Sequence, residues 1–268
     1  MERQHILLEY DHYVKKYKSK YGENTIVLIQ LGSFYELCSV TDKISYGEPN
    51  IHYICNTILN MAVAKKKYKD KDIYKDYYQG GFPIVSYEKY IPLLLNKKYT
   101  IVFVDQITEK PEIKREVTNI LSPGTDIKHK EESNYLLSIY IEKYNTIKGE
   151  YYIVGVSSIE LSTGENYIHY INNEEKKYWS DEISRLIHFY NPSEIIFHTD
   201  NYDLTEDMIM NQWDIHNSTI RINHYTEAYY KNITYQNEYL DKIFNLKMMV
   251  SPIDYFNLSH KKELINSY

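Results

Sequence analysis

The sequence has little of what most catalytic sites are built from. Its 268 residues include only two cysteines, nine glycines and two tryptophans. Cys38 and Cys55 lie in apolar surroundings, form no C-x-x-C pair and are too few for a zinc framework, so both read as buried thiols. No glycine is followed by lysine, which excludes a G-x-x-x-x-G-K-[ST] phosphate loop within these residues. None of the ten histidines falls in an H-E-x-x-H or similar ligand pattern, and G-x-S-x-G is absent. No apolar run approaches the ~18 residues of a membrane span, and no signal-peptide pattern is present. The chain therefore reads as soluble and intracellular.

An excess of positive charge is also missing. The net charge is −6, which argues against a simple polyanion binder. The halves differ: residues 1–130 hold 20 Lys+Arg against 16 Asp+Glu, and residues 131–268 hold 11 against 21. The mildly basic first half permits phosphate contact, and the acidic second half disfavours it. Tyrosine, by contrast, is plentiful at 31 residues, alongside much Ile, Lys and Asn. That is the bias of an AT-rich coding sequence, so single tyrosines carry little functional weight. An apolar content of 43% suffices for packed cores, and the length suits two domains.

Taken in order, Ile6, Leu7, Tyr10, Tyr13, Val14 and Tyr17 predict a helix over 4–21, stopped by Gly22. Residues 25–31 read as a strand. A second helix is expected over 50–60, with Ile51, Ile54, Cys55, Ile58 and Leu59 on one face, and Met61–Ala64 as a short strand. Gly80-Gly81-Phe82-Pro83 reads as a turn, and Ser86 as the cap of a helix over 87–96 that contains Pro92. Strands follow at 100–105 and 117–121. A polar stretch, His129 to Ser133, is the expected boundary between domains 1–130 and 131–268. Beyond it, Tyr135–Ile141, Tyr151–Leu161 and Asn166–Ile171 read as an antiparallel meander. Then come a helix over 181–190 capped by Ser180, a strand at 194–198, a helix near 204–211, a strand near 218–222 and a helix over 225–247. Residues 248–268 have no clear rhythm. The fold class is α/β: a mixed-sheet domain followed by a second domain whose meander and alternating helices and strands suggest an RNase H-like arrangement.

The stretch with the most chemistry follows the first strand: Gly32-Ser33-Phe34-Tyr35-Glu36-Leu37. At strand spacing, Phe34 and Glu36 share a face and Tyr35 turns inward between them. Gly32 marks a bend or a close backbone approach. A flat hydrophobe beside a hydrogen-bond acceptor is equipment for wedging into a base stack and holding a base edge. Five lysines in Lys65–Lys71 read as a solvated hairpin tip, with Lys65, Lys66 and Lys67 as candidates for nonspecific phosphate contact.

A two-metal nuclease would need carboxylates projecting from the strands of the second domain. Tyr135–Ile141 carries none. Glu142 and Glu160 stand at strand ends, where a solvated residue is equally natural, and Glu165 lies in a turn. The sequence therefore argues against nuclease chemistry, and no catalytic or metal-ligating residue is assigned.

With these pieces placed, the chain resembles the N-terminal part of the MutS family of DNA mismatch-recognition proteins. Gly32–Leu37 resembles the family's G-[DS]-F-Y-E-[LM] motif. Thr57–Lys65 is similar to the helix and strand after it, and Gly81-Phe82-Pro83 before Tyr87–Tyr90 to its G-[IF]-P turn and helix. Thr100–Gln106 is similar to a strand that usually ends in Glu-Gln. Arg115-Glu116-Val117 with Ser122–Thr125 resembles R-[EK]-V…-[ST]-P-G-T. In the second half, Glu160–Glu165 resembles D-x-S-T-G-E of the connector domain, and Asn191–Ile196 resembles N-P-x-E-[IL]-[IL]. The resemblance covers about residues 5–225. Asp105 replaces the usual Glu, Glu160 stands where Asp is common, and the Lys-rich segment over 65–76 is longer than typical.

The resemblance implies a mismatch-binding domain, then an RNase H-like connector without nuclease activity. It implies Phe34 as a wedge at a mismatch and Glu36 as acceptor for the displaced base. It also implies mismatched double-stranded DNA and a MutL-type protein as partners. Full-length relatives are DNA-dependent ATPases that bind ATP and Mg²⁺ and dimerise through C-terminal domains; no cofactor is expected in this chain. The alternative is a structural or protein-interaction module, docking a MutL-type partner or acting in recombination.

Overall fold

A computed structural model describes residues 2–40, 46–70, 73–108, 112–128, 134–147, 149–173, 177–199, 204–224, 231–245 and 250–267. The chain divides into two compact units, residues 1–123 and 124–268. The expected boundary at 129–133 lies outside the described residues. Gly124 already belongs to the second unit. Its N–H donates to the Glu194 carboxylate, and the Asn134 side chain donates to Asp126 O at 2.9 Å.

The first unit is a mixed sheet with helices on both faces. α1 (Glu2–Tyr21) precedes β1 (Thr25–Leu31), β2 (Phe34–Val40) and β3 (Tyr46–Gly47). β4 (Ala64–Asp70), β5 (Ile73–Pro83), α2 (Tyr87–Leu95), β6 (Thr100–Gln106) and β7 (Arg115–Leu121) follow. The strand order is β4-β5-β2-β1-β6-β7, with β3 beside β2. β1 and β6 run parallel and the other pairs antiparallel. β1 and β6 are continuous apolar runs because both of their faces are covered. Ile26, Leu28, Ile101 and Phe103 pack with α2, and Val27, Ile29, Val102 and Val104 pack under α1. Full burial of each such side chain contributes roughly 1.5–3 kcal/mol.

Five local expectations change here. The segment after Ile51 is wound as a π-helix over Tyr53–Ile58, with Leu59 N–H bonding back to Ile54 O; this buries Ile54, Cys55 and Leu59 together. Met61 to Val63 is not strand, and the strand begins at Ala64. Lys65, Lys66 and Lys67 do not form a hairpin tip. They lie along β4, the edge strand, where lysines protect the open edge from pairing with another chain. Gly80–Pro83 is the end of β5 and not a turn. Its glycines serve close packing: a Cβ at Gly80 would lie 2.6 Å from Cys55 Sγ. Ser86 precedes α2 without a side-chain capping bond, and Pro92 sits within that helix.

The second unit has a five-stranded sheet. β8 (Tyr135–Thr146), β9 (Gly149–Glu160) and β10 (Asn166–Asn172) form the antiparallel meander, with longer arms than the sequence suggested. β11 (Glu194–Thr199) and β12 (Thr219–His224) add in parallel, giving the order β10-β9-β8-β11-β12. α3 (Tyr178–Tyr190) and α4 (Glu206–Trp213) enclose one core, where Trp213 stacks on Phe197 at 5.3 Å. α3 starts before Ser180, which instead accepts the Trp213 indole N–H at 3.0 Å. α5 (Ile233–Phe244), α6 (Pro252–Tyr255) and α7 (Lys262–Ser267) build a smaller core around Leu240, Ile253, Leu258 and Leu264. The 225–230 part of the expected 225–247 helix lies outside the described residues. Residues 250–267, where no rhythm is legible, carry two short helices. Gly155 admits α7: a Cβ there would meet Glu263 O at 2.1 Å.

Glu160 is not solvated. It is buried at the end of β9 and accepts from Asn134 N–H, Ser162 Oγ and Thr163 N–H at 3.0, 2.6 and 2.6 Å. These bonds, those from Ser162 and Thr163 first, hold its carboxyl down at about 2. The folded value lies below the unfolded one, so this stabilisation is complete above the unfolded pKa near 4.5 and is lost as pH falls toward 2. Acid unfolding of Glu160→Gln, followed by circular dichroism, should show a shallower loss of stability than the parent between pH 4.5 and 2. An equally steep loss would remove this role.

Candidate nucleic-acid interface

Phe34 opens β2 directly after a two-residue turn. β1 and β2 pair with Leu31 opposite Phe34, leaving Gly32 and Ser33 as the loop. Gly32 has φ +64°, the left-handed backbone that tight hairpins require and glycine adopts without strain. The turn is braced from outside. The Gln30 side chain donates to Gly32 O at 3.0 Å and accepts Gln106 N–H at 2.8 Å. Arg115 Nε donates to Gln30 O, and its Nη1 pairs with Glu9 at 3.2 Å. On the other side, Ile84 N–H donates to Ser33 O at 2.9 Å. The loop is therefore held at both flanks.

The first three residues of β2 alternate in burial. Phe34 is 41% exposed, Tyr35 is buried and Glu36 is half-buried. Tyr35 packs edge-on to Phe103 and Phe82, and its hydroxyl donates to Asp105 Oδ1 at 2.7 Å. Thr118 Oγ1 donates to the other Asp105 oxygen. Burial first, and then the Asp105 carboxylate, hold the Tyr35 hydroxyl well above its ordinary pKa, so it stays a donor. Tyr35 thereby pins the strand between the two outward residues. Tyr35→Phe should keep the fold and cost roughly 1.5–3 kcal/mol, the range for a hydrogen bond to a charged group. Urea denaturation would read it, and an unchanged midpoint would show that the bond contributes nothing.

Pro83 stands opposite Phe34 on β5, and Gly81 stands opposite Glu36. Gly81 places no side chain beside Glu36, and its Cα lies close against the backbone of β2. Glu36 borders a cavity of about 230 Å³ lined also by Lys66, Gln79, Tyr77, Cys38 and the apolar Ile6, Leu7 and Leu31.

The structure thus brings Phe34, Glu36 and Lys66 to one face and sends Lys65 and Lys67 to the other. Tyr68, two residues from Lys66, is buried in the core under α1, which fixes the alternation. Lys65 pairs with Asp76 at 2.8 Å. Sequence reasoning missed Gln30 and Gly81. A polar residue near the end of an apolar strand was the only signal for Gln30; Gly81 was read as a turn residue, because its packing role depends on the neighbouring strand.

In the second unit, Glu142 pairs with Lys262 at 3.0 Å and accepts the Tyr140 hydroxyl at 2.9 Å. Glu165 accepts the Tyr167 hydroxyl. Among the described residues, no three His, Cys, Asp or Glu side chains are grouped to hold a metal ion, and no helix is long and apolar enough to cross a membrane.

Residues 10–130 match the family model of MutS domain I. A protein of Acanthamoeba polyphaga mimivirus, named as a MutS homologue of DNA mismatch repair, is 30% identical over 92% of this chain and 24% of its own length. The DNA mismatch repair protein MutS of Caldanaerobacter subterraneus is 28% identical over 94% of the chain and 26% of its own length. A fowlpox virus Holliday junction resolvase aligns over 50% of the chain and 92% of its own at 14% identity, with a TM-score of 0.30, too loose a superposition to assign a fold. The chain spans about a quarter of the length of these MutS relatives. The matched relatives are named as proteins of DNA mismatch repair. The chain belongs to the MutS family and corresponds to its N-terminal region.

Proposed function

We propose that the first unit recognises mismatched duplex DNA, with Phe34 as the wedge and Glu36 as the acceptor for the displaced base. The observation that carries this reading is a large hydrophobe, 41% exposed, at the tip of a hairpin braced on both flanks. An aromatic held in place is pre-organised for insertion, so little further ordering is required when it stacks. A mismatched step stacks and pairs poorly. Kinking it costs less than the ~1–6 kcal/mol of a smoothly bent duplex, while base–aromatic stacking returns roughly 1–3 kcal/mol. The same wedge at a matched step is near break-even, so the protein reads deformability more than sequence.

Glu36 adds discrimination because a carboxylate is repelled by undistorted backbone. Glu36→Ala should narrow the gap between mismatched and matched duplex while raising affinity for matched DNA. Fluorescence anisotropy with a duplex pair differing at one position would measure both. A wider gap in the variant would sink the role given to Glu36.

The second unit serves as the connector domain, 131–268 by sequence. A three-stranded meander followed by parallel strands supports an RNase H-like assignment for it. Its candidate carboxylates are engaged in turns and ion pairs, which favours a structural role over metal-dependent cutting. Docking of a MutL-type protein falls to this acidic half. In full-length relatives, ATP and Mg²⁺ binding and dimerisation belong to C-terminal domains.

A further inference from the structure

The lysine run of β4 is split by strand alternation: of Lys65, Lys66 and Lys67, Lys66 lines the cavity that Glu36 borders. Its ammonium is held there: Lys66 Nζ donates to Gln79 Oε1 at 2.6 Å, and the buried Gln79 also accepts from the Tyr77 hydroxyl at 3.4 Å. Lys65 lies on the opposite face and pairs with Asp76. Among the described side chains, α1 contributes the apolar Ile6 and Leu7 to the cavity lining, Tyr77, Gln79 and Cys38 contribute polar groups, and Lys66 contributes a cation on the same lining as Glu36.

Resting on the mismatch-recognition reading above, we propose that Lys66 is a specificity-determining residue: its ammonium is the counter-charge that lets the Glu36 carboxylate approach DNA. At a mismatch, the negative field of the duplex still opposes the carboxylate and reduces what its hydrogen bond to the displaced base returns. A cation held on the same cavity lining offsets that opposition locally. The bond to Gln79 directs the ammonium toward the cavity. Glu36 then accepts its hydrogen bond from a displaced base without first being neutralised. A lysine that merely touched a phosphate would strengthen binding to both duplexes alike and would act independently of Glu36.

The test is a double-mutant cycle on mismatched and matched duplexes, read by anisotropy across a salt series. Lys66→Gln should lower the mismatched-to-matched affinity ratio about tenfold, and Lys66→Arg should preserve it. In a Glu36→Gln background, Lys66→Gln should leave the ratio unchanged. The slope of log affinity against log salt should stay within half a unit of the parent's. Lys65→Gln should leave the ratio alone. Equal weakening of both duplexes, with a salt slope reduced by about 1, would make Lys66 a phosphate contact and overturn the proposal. The same drop in the ratio in the Glu36→Gln background would overturn it too. Phe34→Ala separates the two layers. If that variant keeps the preference, the mismatch-recognition reading fails and this inference falls with it. If the preference is lost but the cycle is additive, only the role of Lys66 falls.

Discussion

Phe34→Ala removes the preference for mismatched over matched duplex and leaves the fold intact. Phe34 is 41% exposed at the first position of β2, so truncating it uncovers little core. The hairpin keeps its braces, because none of them uses the Phe34 side chain: Gln30 and Arg115 hold one flank, and Ile84 N–H the other. Stability should therefore change by no more than about 1 kcal/mol. Binding should change far more. Losing a base–aromatic stack of roughly 1–3 kcal/mol lowers affinity for the mismatched duplex about 5- to 150-fold. Matched duplex, at which insertion is near break-even, should be almost unaffected. Anisotropy with both duplexes and thermal melting of the variant check the two halves of this expectation. A variant that melts like the parent and still prefers the mismatch would remove Phe34 from recognition.

Gly81→Ala should have the opposite profile and be the most damaging single-methyl change at this site. A Cβ at Gly81 would lie 2.1 Å from Tyr35 O and 2.7 Å from Glu36 Cα. Both are backbone atoms, so no side chain can rotate away. β5 would have to separate from β2 where Glu36 pairs with Gly81 and Leu37 with Gly80. That loosens the sheet under Tyr35 and Phe82, which belong to the core beside α2. The expected cost is on the order of 4 kcal/mol, the level reached when overpacking strains backbone and core together. Gly32→Ala gives the contrast. Nothing lies within 4 Å of a Cβ there, so only the left-handed φ of +64° is penalised, at roughly 1–2 kcal/mol. Denaturant midpoints of the two variants should differ widely, and similar midpoints would show that β5 yields more easily than its packing implies.

Much of the scaffold was legible in the residues. β1, β6, β11 and the meander are apolar runs bounded by turn residues, and such runs have few alternatives to strand. The misreadings share one origin. Gly80 and Gly81 look like turn residues because glycine most often relieves backbone conformation; here they relieve contact with Cys55 and with the backbone of β2. Lys65–Lys67 look like a loop because charge is usually solvated, but an edge strand is solvated as well. Glu160 looks like a surface residue because it ends a strand, but the turn after it folds back and supplies its donors.

By itself, the sequence determined the family, the apolar strands β1, β6, β11 and the meander, and the alternation that sets Phe34 and Glu36 on one face and Tyr35 on the other. All three follow from residues close together in the chain: a motif, an apolar run, a period of two. Only the tertiary structure decided what stands beside them. Lys66 reaches the Glu36 cavity because β4 pairs with β5 and β5 with β2 in one register, and a slip of one residue would have brought Lys65 or Lys67 instead. Asp105 meets Tyr35 across 70 residues and Gln106 meets Gln30 across 76, distances that no local pattern spans.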